Sequence, residues 1–599
     1  MDRPDNGYSP RRTTRILAPC PPQAVGSLLV GRGAELDALD AAFGRAGDAF
    51  PTIAVVAGEA GIGKTRLVTE LVGRARSAGS RTLIGACLDV AGGGLPYAPL
   101  VEGLRGILRG LPPSEVDALL GPARGEIARL LPGIVRTTAA GNGSPTATGS
   151  PGGLGQAGLF EFVLGLFGDL GADAPALIVF EDLHWVDRAT RDLVTFLARN
   201  LERERLMLVL TVRTDAFHRG DATAAWLAEL ERNPRTVRLD LAPLDRAAVA
   251  GQLAAALGER PSEALVTRIH ARSGGNPYFV EELIELERRG ASGPLPRTLS
   301  ETLAGAIDAL PEASQRLMAI VAVAGRPIDE RLIASVAERS EVDVREPIRT
   351  AVTQGVLVTD PTTGALQPRH ALLGEVAESG LLPAERRAIH ARFAAVLAER
   401  PELADPSPAG AAAELAHHWY AADRPAEAYL ASLSAADAAE QVFAFDAAHQ
   451  HYEQAIALET RVPAEIRMGG ERPDEIDLRR KAARRADDAG RTERAIELLR
   501  DALDRAGGSS DPVRAGLIHA RLGYEAWVLG RGQESLAEFR RAVELVPADP
   551  PSAERSRVLQ SLAGGLMGTG TTVSPGTCAW RPSPVQSWRT HRRMRPERA

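Results

Sequence analysis

Two hydrophobic rhythms divide the chain. In the first, short apolar runs recur at about 52–57, 82–87, 176–181, 206–212 and 236–240, separated by stretches with helical spacing. The run at 52–57 is β-branched, and the runs at 176 and 206 are continuously apolar. Strands alternating with helices predict a parallel, doubly wound α/β sheet. In the second rhythm strand-like runs nearly vanish. Residues 244–257 and 263–273 predict helices, and Pro277 opens another after the turn Gly274-Gly275-Asn276. From Leu295 to about Glu399 the pattern stays helical except for one β-like piece. Gly355–Asp360, a turn at Pro361–Gly364 and Leu366–His370 predict the hairpin of a winged-helix module.

From about 408 to 567 the helical pattern repeats. Tyr452 with Ala455-Ile456, Leu499 with Ala502-Leu503 and Phe539 with Ala542-Val543 align at offsets of 47 and 40 residues. An aromatic or Leu followed three residues later by Ala-apolar matches the second helix of tetratricopeptide-like pairs, in a unit longer than the usual ~34 residues. Such pairs stack into a solenoid with a concave binding face. The expected domains are a disordered tail (1–25), a P-loop NTPase (26–240), a helical lid (241–294), a winged-helix-like module (295–400), the repeats (405–570) and an irregular basic tail (571–599). The NTPase carries a flexible Gly/Ser/Pro-rich insertion at about 137–155. The last stretch holds two of the six tryptophans, six arginines and one acid. It reads either as a truncated or out-of-frame end or as a genuine basic tail.

Composition narrows the function. A chain of 599 residues has room for roughly four domains. The net charge of -7 gives no global basic signature for nucleic acid, so DNA contact would need a local patch. Only 4% of residues are aromatic, which favours helix formers over a β-sandwich. Cys20, Cys87 and Cys578 lie far apart without metal-ligand spacing, which suits a reducing cytosol. No apolar run approaches the ~18 residues of a membrane span, and Ile16-Leu17-Ala18 is too short for a signal peptide's core. A cytoplasmic protein is expected. His370 and His390 lack ligand spacing and companion ligands, and His417-His418-Trp419-Tyr420 reads as helix packing.

The chemistry starts at the end of the first strand. Gly58-Glu59-Ala60-Gly61-Ile62-Gly63-Lys64-Thr65 is a P-loop in its required setting, strand then loop then helix. Glycines let backbone N–H groups curl around phosphate oxygens, and the helix that follows through Arg66 presents its positive end to the same anion. Lys64 is placed to reach the β- and γ-phosphates of ATP, and the Thr65 hydroxyl to ligate Mg²⁺. Of 70 basic residues only Lys64 and Lys481 are lysine. The compact ammonium is kept where a guanidinium fork would fit badly. Glu181-Asp182 ends the strand 176–181 as a Walker B pair. One carboxylate would hold Mg²⁺ through water and the other polarise the attacking water. The expectation is Asp182 in the metal shell and Glu181 on the water. Arg213 ends the fourth strand. It is either a sensor of the γ-phosphate or a partner of Asp215.

Taken together, these motifs resemble the large ATP-binding regulators of the LuxR type (maltose-activator-like), a branch of the AAA-like signal-transduction ATPases with numerous domains (STAND). The residues that carry the resemblance are Val30-Gly31-Arg32, Gly58–Thr65, Leu95-Pro96-Tyr97, Glu181-Asp182-Leu183-His184-Trp185 and Gly275-Asn276-Pro277. The likeness covers about 27–570. It implies that Val30-Gly31-Arg32 borders the adenine base and that Pro277 lies on the lid beside the nucleotide. It further implies a slow ATPase used as a switch in transcription, with repeats sensing an inducer or protein partner and self-association in reach. Family members usually end in a DNA-binding helix-turn-helix, which has no recognisable counterpart here. DNA is therefore expected as a partner only if such a domain is supplied. The alternative is an ATPase-and-repeat module or scaffold serving another effector.

Overall fold

The computed structural model describes residues 29–88, 95–109, 112–120, 127, 130–131, 155–217, 221–288, 298–360, 363–470, 472–506 and 511–568. The expected terminal tails, and the insertion at 137–155 apart from Gly155, lie outside them. The five apolar runs form strands β1 (Thr52–Gly58), β2 (Thr82–Ala86), β3 (Ala176–Glu181), β4 (Leu206–Arg213) and β5 (Thr236–Asp240). They make one parallel sheet in the order β2-β3-β4-β1-β5. β4 thus lies between the P-loop strand and the acidic strand. The three central strands are the continuously apolar ones. They are buried along nearly their whole length, because helices cover both faces of a parallel sheet. On one face, Leu36, Leu39, Ala42 and Ala46 of the helix Gly33–Gly47 pack at three- and four-residue spacing beside Leu67, Val68, Leu71 and Val72 of the helix Lys64–Ser77. Edge strands β2 and β5 alternate in burial, as one-sided cover requires.

Three helices follow at Arg246–Leu257, Glu263–Ser273 and Pro277–Arg288, around a core of Val249, Leu253, Ile269, Val280 and Leu283. The first two start on side-chain caps from Asp245 and Ser262. The third starts at Pro277, where a missing N–H costs nothing. The predicted hairpin is present: β6 (Leu357–Thr359) pairs antiparallel with β7 (Leu366–Pro368). It joins helices from Leu299 to Glu399 around Met318, Val321, Ile333, Leu357 and Phe393.

The chain divides into two compact units, Met1–Ala444 and Phe445–Ala599. The helix pair Pro408–Ala421 and Pro425–Gln441 therefore belongs with the first unit, although the sequence pattern groups it with the repeats. In the second unit the aligned positions are the ones that pack. Tyr452, Leu499 and Phe539, and Ala455, Ala502 and Ala542, are all buried. Phe539 is pressed between Gly523 and Gly565, where an added Cβ would stand 2.6 and 2.7 Å from its ring. Arg479 is also wholly buried. Its guanidinium forks onto Glu459 at 2.7 and 3.0 Å and meets Asp501 with Nε. Two carboxylates around one planar donor satisfy what burial would otherwise make costly. Arg479→Ala should strand Glu459 as an unpaired buried charge and cost the second unit about 3–5 kcal/mol. Urea unfolding of the full chain, followed in that unit, measures it; a loss below about 1 kcal/mol would show that the pair contributes little.

Candidate functional site

The P-loop leaves β1 at Gly58 and enters the helix Lys64–Ser77. Gly61 and Gly63 take φ of 76° and 97°, left-handed values that side chains disfavour. The loop's carbonyls are all held. Those of Gly58 and Glu59 accept from Lys64 Nζ at 2.9 and 2.8 Å. That of Ala60 accepts from Asn276 Nδ2 at 2.9 Å, that of Gly61 from the Tyr278 N–H at 3.3 Å and that of Ile62 from Arg32 Nη2 at 3.1 Å. With its oxygens turned to these donors, the loop has its N–H side left for a ligand. The N-terminal end of the helix, at Lys64 and Thr65, faces the same side.

The acids stand where β3 ends. Thr65 hydrogen-bonds the Glu181 carboxylate, not that of Asp182. From sequence, Thr65 and Asp182 are expected on Mg²⁺ and Glu181 on the water; here the acid that Thr65 meets is Glu181. The reason is the strand's alternation. Glu181 is the last ladder residue, paired with Ala86, and faces the P-loop helix. Asp182 leaves the strand at φ 56°, with its N–H on Thr211 Oγ1 at 2.9 Å, and turns towards His184, Lys64 and Arg213. Burial pushes the Glu181 carboxyl up to about 7, with the Asp182 charge adding to it and the Thr65 bond opposing it. Glu181 Oε1 is buried without a hydrogen-bond partner. Burial likewise lowers Lys64 to about 8, against the pull of Asp182 and Asp215. A buried carboxylate oxygen lacking a donor, beside a hydroxyl and a desolvated ammonium, is a donor set suited to a hard cation and a phosphate chain. ATP with Mg²⁺ fits it.

Arg213 has Asp215 as a partner in the structure. It lies level with Gly58 across the β1–β4 ladder, beside the P-loop. Its Nη2 bonds Asp215 at 3.2 Å, while Nη1 bonds Glu375 at 2.6 Å. Glu375 belongs to the helix Ala371–Ser379, directly after the hairpin, and sequence reasoning missed it. His370 was also missed as a site residue. It caps that helix through Nδ1 and stacks on Tyr278 at 4.1 Å between ring centroids. Beside it, Arg369 pairs with Glu282 at 3.2 Å, and Arg66 of the P-loop helix with Glu281 at 3.3 Å. The signal that existed was the pairing of charged residues with the Gly-Asn-Pro turn, which only the fold brings together.

Val30, Gly31 and Arg32 lie between the P-loop and the three helices that follow β5. Val30 packs against the core of those helices, and a Cβ on Gly31 would stand 2.5 Å from that of Ala248. Besides Ile62, the buried Arg32 guanidinium holds the Ala242 carbonyl at 2.7 Å and Glu35 at 3.0 Å. Its side chain thus braces the loop. Pro277 lies 4.0 Å from where a Cβ on Gly63 would be.

Residues 28–210 match the AAA ATPase domain family, a stretch that holds the whole P-loop and both acids. The chain is 25% identical over 419 residues to an uncharacterized protein of Rhizobium meliloti (strain 1021), covering 65% of this chain and 39% of that one. It therefore spans about two fifths of that relative's length. Among solved structures it resembles a STAND protein with a tetratricopeptide repeat sensor from Pyrococcus horikoshii. The TM-score is 0.40 at 13% identity, over 92% of this chain and 81% of the other. A Cdc6 protein from Pyrobaculum aerophilum superposes with TM-score 0.30 at 14% identity, over 64% and 97%. Among the described residues no helix is long and apolar enough to cross a membrane.

The Glu181 shift has a testable sign. Its folded value lies above the unfolded value of 4.5, so its ionisation costs stability as pH rises from there through about 7. Glu181→Gln removes that cost. In the nucleotide-free chain without magnesium, its stabilising effect at pH 8 should exceed that at pH 5 by about 2 kcal/mol. Denaturant titrations at the two pH values read the difference, and equal effects would refute it.

Proposed function

We propose that this chain is an ATP-driven switch of the STAND type, acting in signal transduction and, through a DNA-binding partner or domain, in transcription. The observation that supports it most is the joint holding of the P-loop by its own lysine and by the lid turn at Asn276, with a carboxylate pair in reach. ATP would lie along the N–H side of Gly58–Thr65, with Lys64 on its β- and γ-phosphates and Pro277 and Tyr278 closing over it. Thr65 and Glu181 would hold Mg²⁺, the role sequence gave to Asp182. Asp182 would orient and deprotonate the attacking water, since it turns from the strand towards Lys64 and Arg213. Magnesium's chemistry there is charge neutralisation on the phosphates.

The switch would run through Arg213. One guanidinium cannot serve both Glu375 and a γ-phosphate in full. Triphosphate binding would therefore draw it from the hairpin module, and hydrolysis would return it. The repeats would sense an inducer or protein partner, in the cytoplasm. The central test is Lys64→Ala: ATP affinity by calorimetry should fall at least 100-fold, while the helical circular dichroism signal stays. Retained tight binding would sink the reading. The two acids separate in turnover. Asp182→Asn should keep ATP binding and lose hydrolysis by at least 100-fold, and Glu181→Gln should raise the Mg²⁺ concentration needed for half-maximal binding. The opposite pattern would restore the roles expected from sequence.

A further inference from the structure

Away from the P-loop, three imidazoles converge between two helices. His390 comes from the helix Pro383–Glu399 and His417 and His418 from the helix Pro408–Ala421. The sequence offers His390 no companion, because its partners arrive 27 and 28 residues later on another helix. In the fold, one ring nitrogen from each of the three lies within 4.8 Å of the others. The ring centroids form a nearly equilateral triangle, at 5.3 Å for 390–417, 5.1 Å for 390–418 and 5.3 Å for 417–418. Three imidazoles on a tetrahedral zinc, with Zn–N of ~2.0–2.1 Å, set their centroids roughly 5 Å apart. The triangle already has that size.

The hydrogen bonding of the cluster is not closed by protein alone. Nδ1 of His390 faces Nδ1 of His418 at 2.8 Å. Two neutral rings meeting this way share one proton between two lone pairs, and His418 Nε2 is buried with no hydrogen-bond partner. Phe393 stacks on His418 at 4.8 Å and 10°, which fixes that ring's plane. His390 and His418 are buried, while His417 is half-buried and gives access from solvent. Burial lowers His390 to about 3 and His417 to about 4, and drives His418 well below its ordinary value, so all three rings are neutral near pH 7. Neutral imidazole is the ligating form. The nearby charges are Arg386, one turn before His390, and Arg326, which buried Glu414 meets at 2.7 Å.

We propose that His390, His417 and His418 bind a divalent transition metal of the zinc class and so pin the last helix of the hairpin module to the first helix of the repeat pattern. Three nitrogen ligands leave a fourth position for water or another donor. An all-imidazole set suits Zn²⁺, Co²⁺, Ni²⁺ or Cu²⁺ and discriminates against oxygen-seeking Mg²⁺, so the site is chemically separate from the nucleotide's. The competing reading is a hydrogen-bonded histidine pair that serves packing alone.

Co²⁺ titration of the chelator-stripped full chain decides between them. The expected result is one Co²⁺ per chain with the intense visible bands of tetrahedral coordination, bleached by one equivalent of Zn²⁺. His417→Ala and His417→Gln remove the most exposed ligand and leave the buried pair in place. Each should weaken Co²⁺ binding at least tenfold, and Zn²⁺ should raise the melting temperature of the parent chain but not of these variants. His270→Ala, outside the cluster, should behave as the parent does. A parent chain that shows no tetrahedral cobalt spectrum, or position-417 variants that keep it, overturns the proposal in favour of packing.

Discussion

The P-loop works only because its carbonyl oxygens are held outward, and every donor that holds them has a second attachment. Lys64 is also the first residue of the helix it opens, and Asn276 also caps the helix Pro277–Arg288 through bonds from the N–H groups of Tyr278 and Phe279. Arg32 also grips the chain just after β5. The loop's shape is thus a property of three elements, and the Asn276 bond alone spans 216 residues. An unsatisfied buried carbonyl costs about 1–3 kcal/mol, so the turn at Asn276 cannot lift from the loop without replacing those bonds. Glycine matters here for closeness as well as for φ. A Cβ on Gly275 would stand 2.2 Å from the Leu244 carbonyl, and one on Gly61 would stand 2.9 Å from Asn276 Oδ1.

Around that loop the charges are arranged against solvation. Glu181 and Asp182 are both pushed up by burial, while Lys64 is pushed down. Each is therefore held in a place where its charged form is less favoured than in water, and each gains by meeting an opposite charge. A phosphate chain and a divalent cation supply those charges together. This tension marks a site prepared for ligand, since a purely structural ion pair would have its atoms matched already. By contrast, Arg479 with Glu459 and Asp501 is matched, and it lies far from any such motif in sequence.

The sheet was legible because its strands are short, apolar and flanked by glycine or acids, and each lies within about a residue of where the pattern puts it. The hairpin was legible for the same reason. The repeats were legible as positions, since Tyr452, Leu499 and Phe539 are the residues that pack, but not as a boundary. Nothing in the local pattern says that the helices at 408–441 join the first unit. Within the site, the loop could be read residue by residue, whereas the order in which the two acids face Thr65 could not. That order depends on which way one strand residue points, and adjacent residues point opposite ways. Glu375 and His370 were illegible because their relevance comes from packing against residues more than 90 positions away.

The scarcity of lysine has a practical consequence. The side-chain amines of this protein number two, and one of them is Lys64 of the P-loop. Burial lowers its ammonium to about 8, so it gives up its proton more readily than an ordinary lysine amine. An acylating reagent would meet it as one of only two side-chain amines. The extent of modification at that one nitrogen, against Lys481 as internal standard, would record how much of a population is shielded by nucleotide at a given moment.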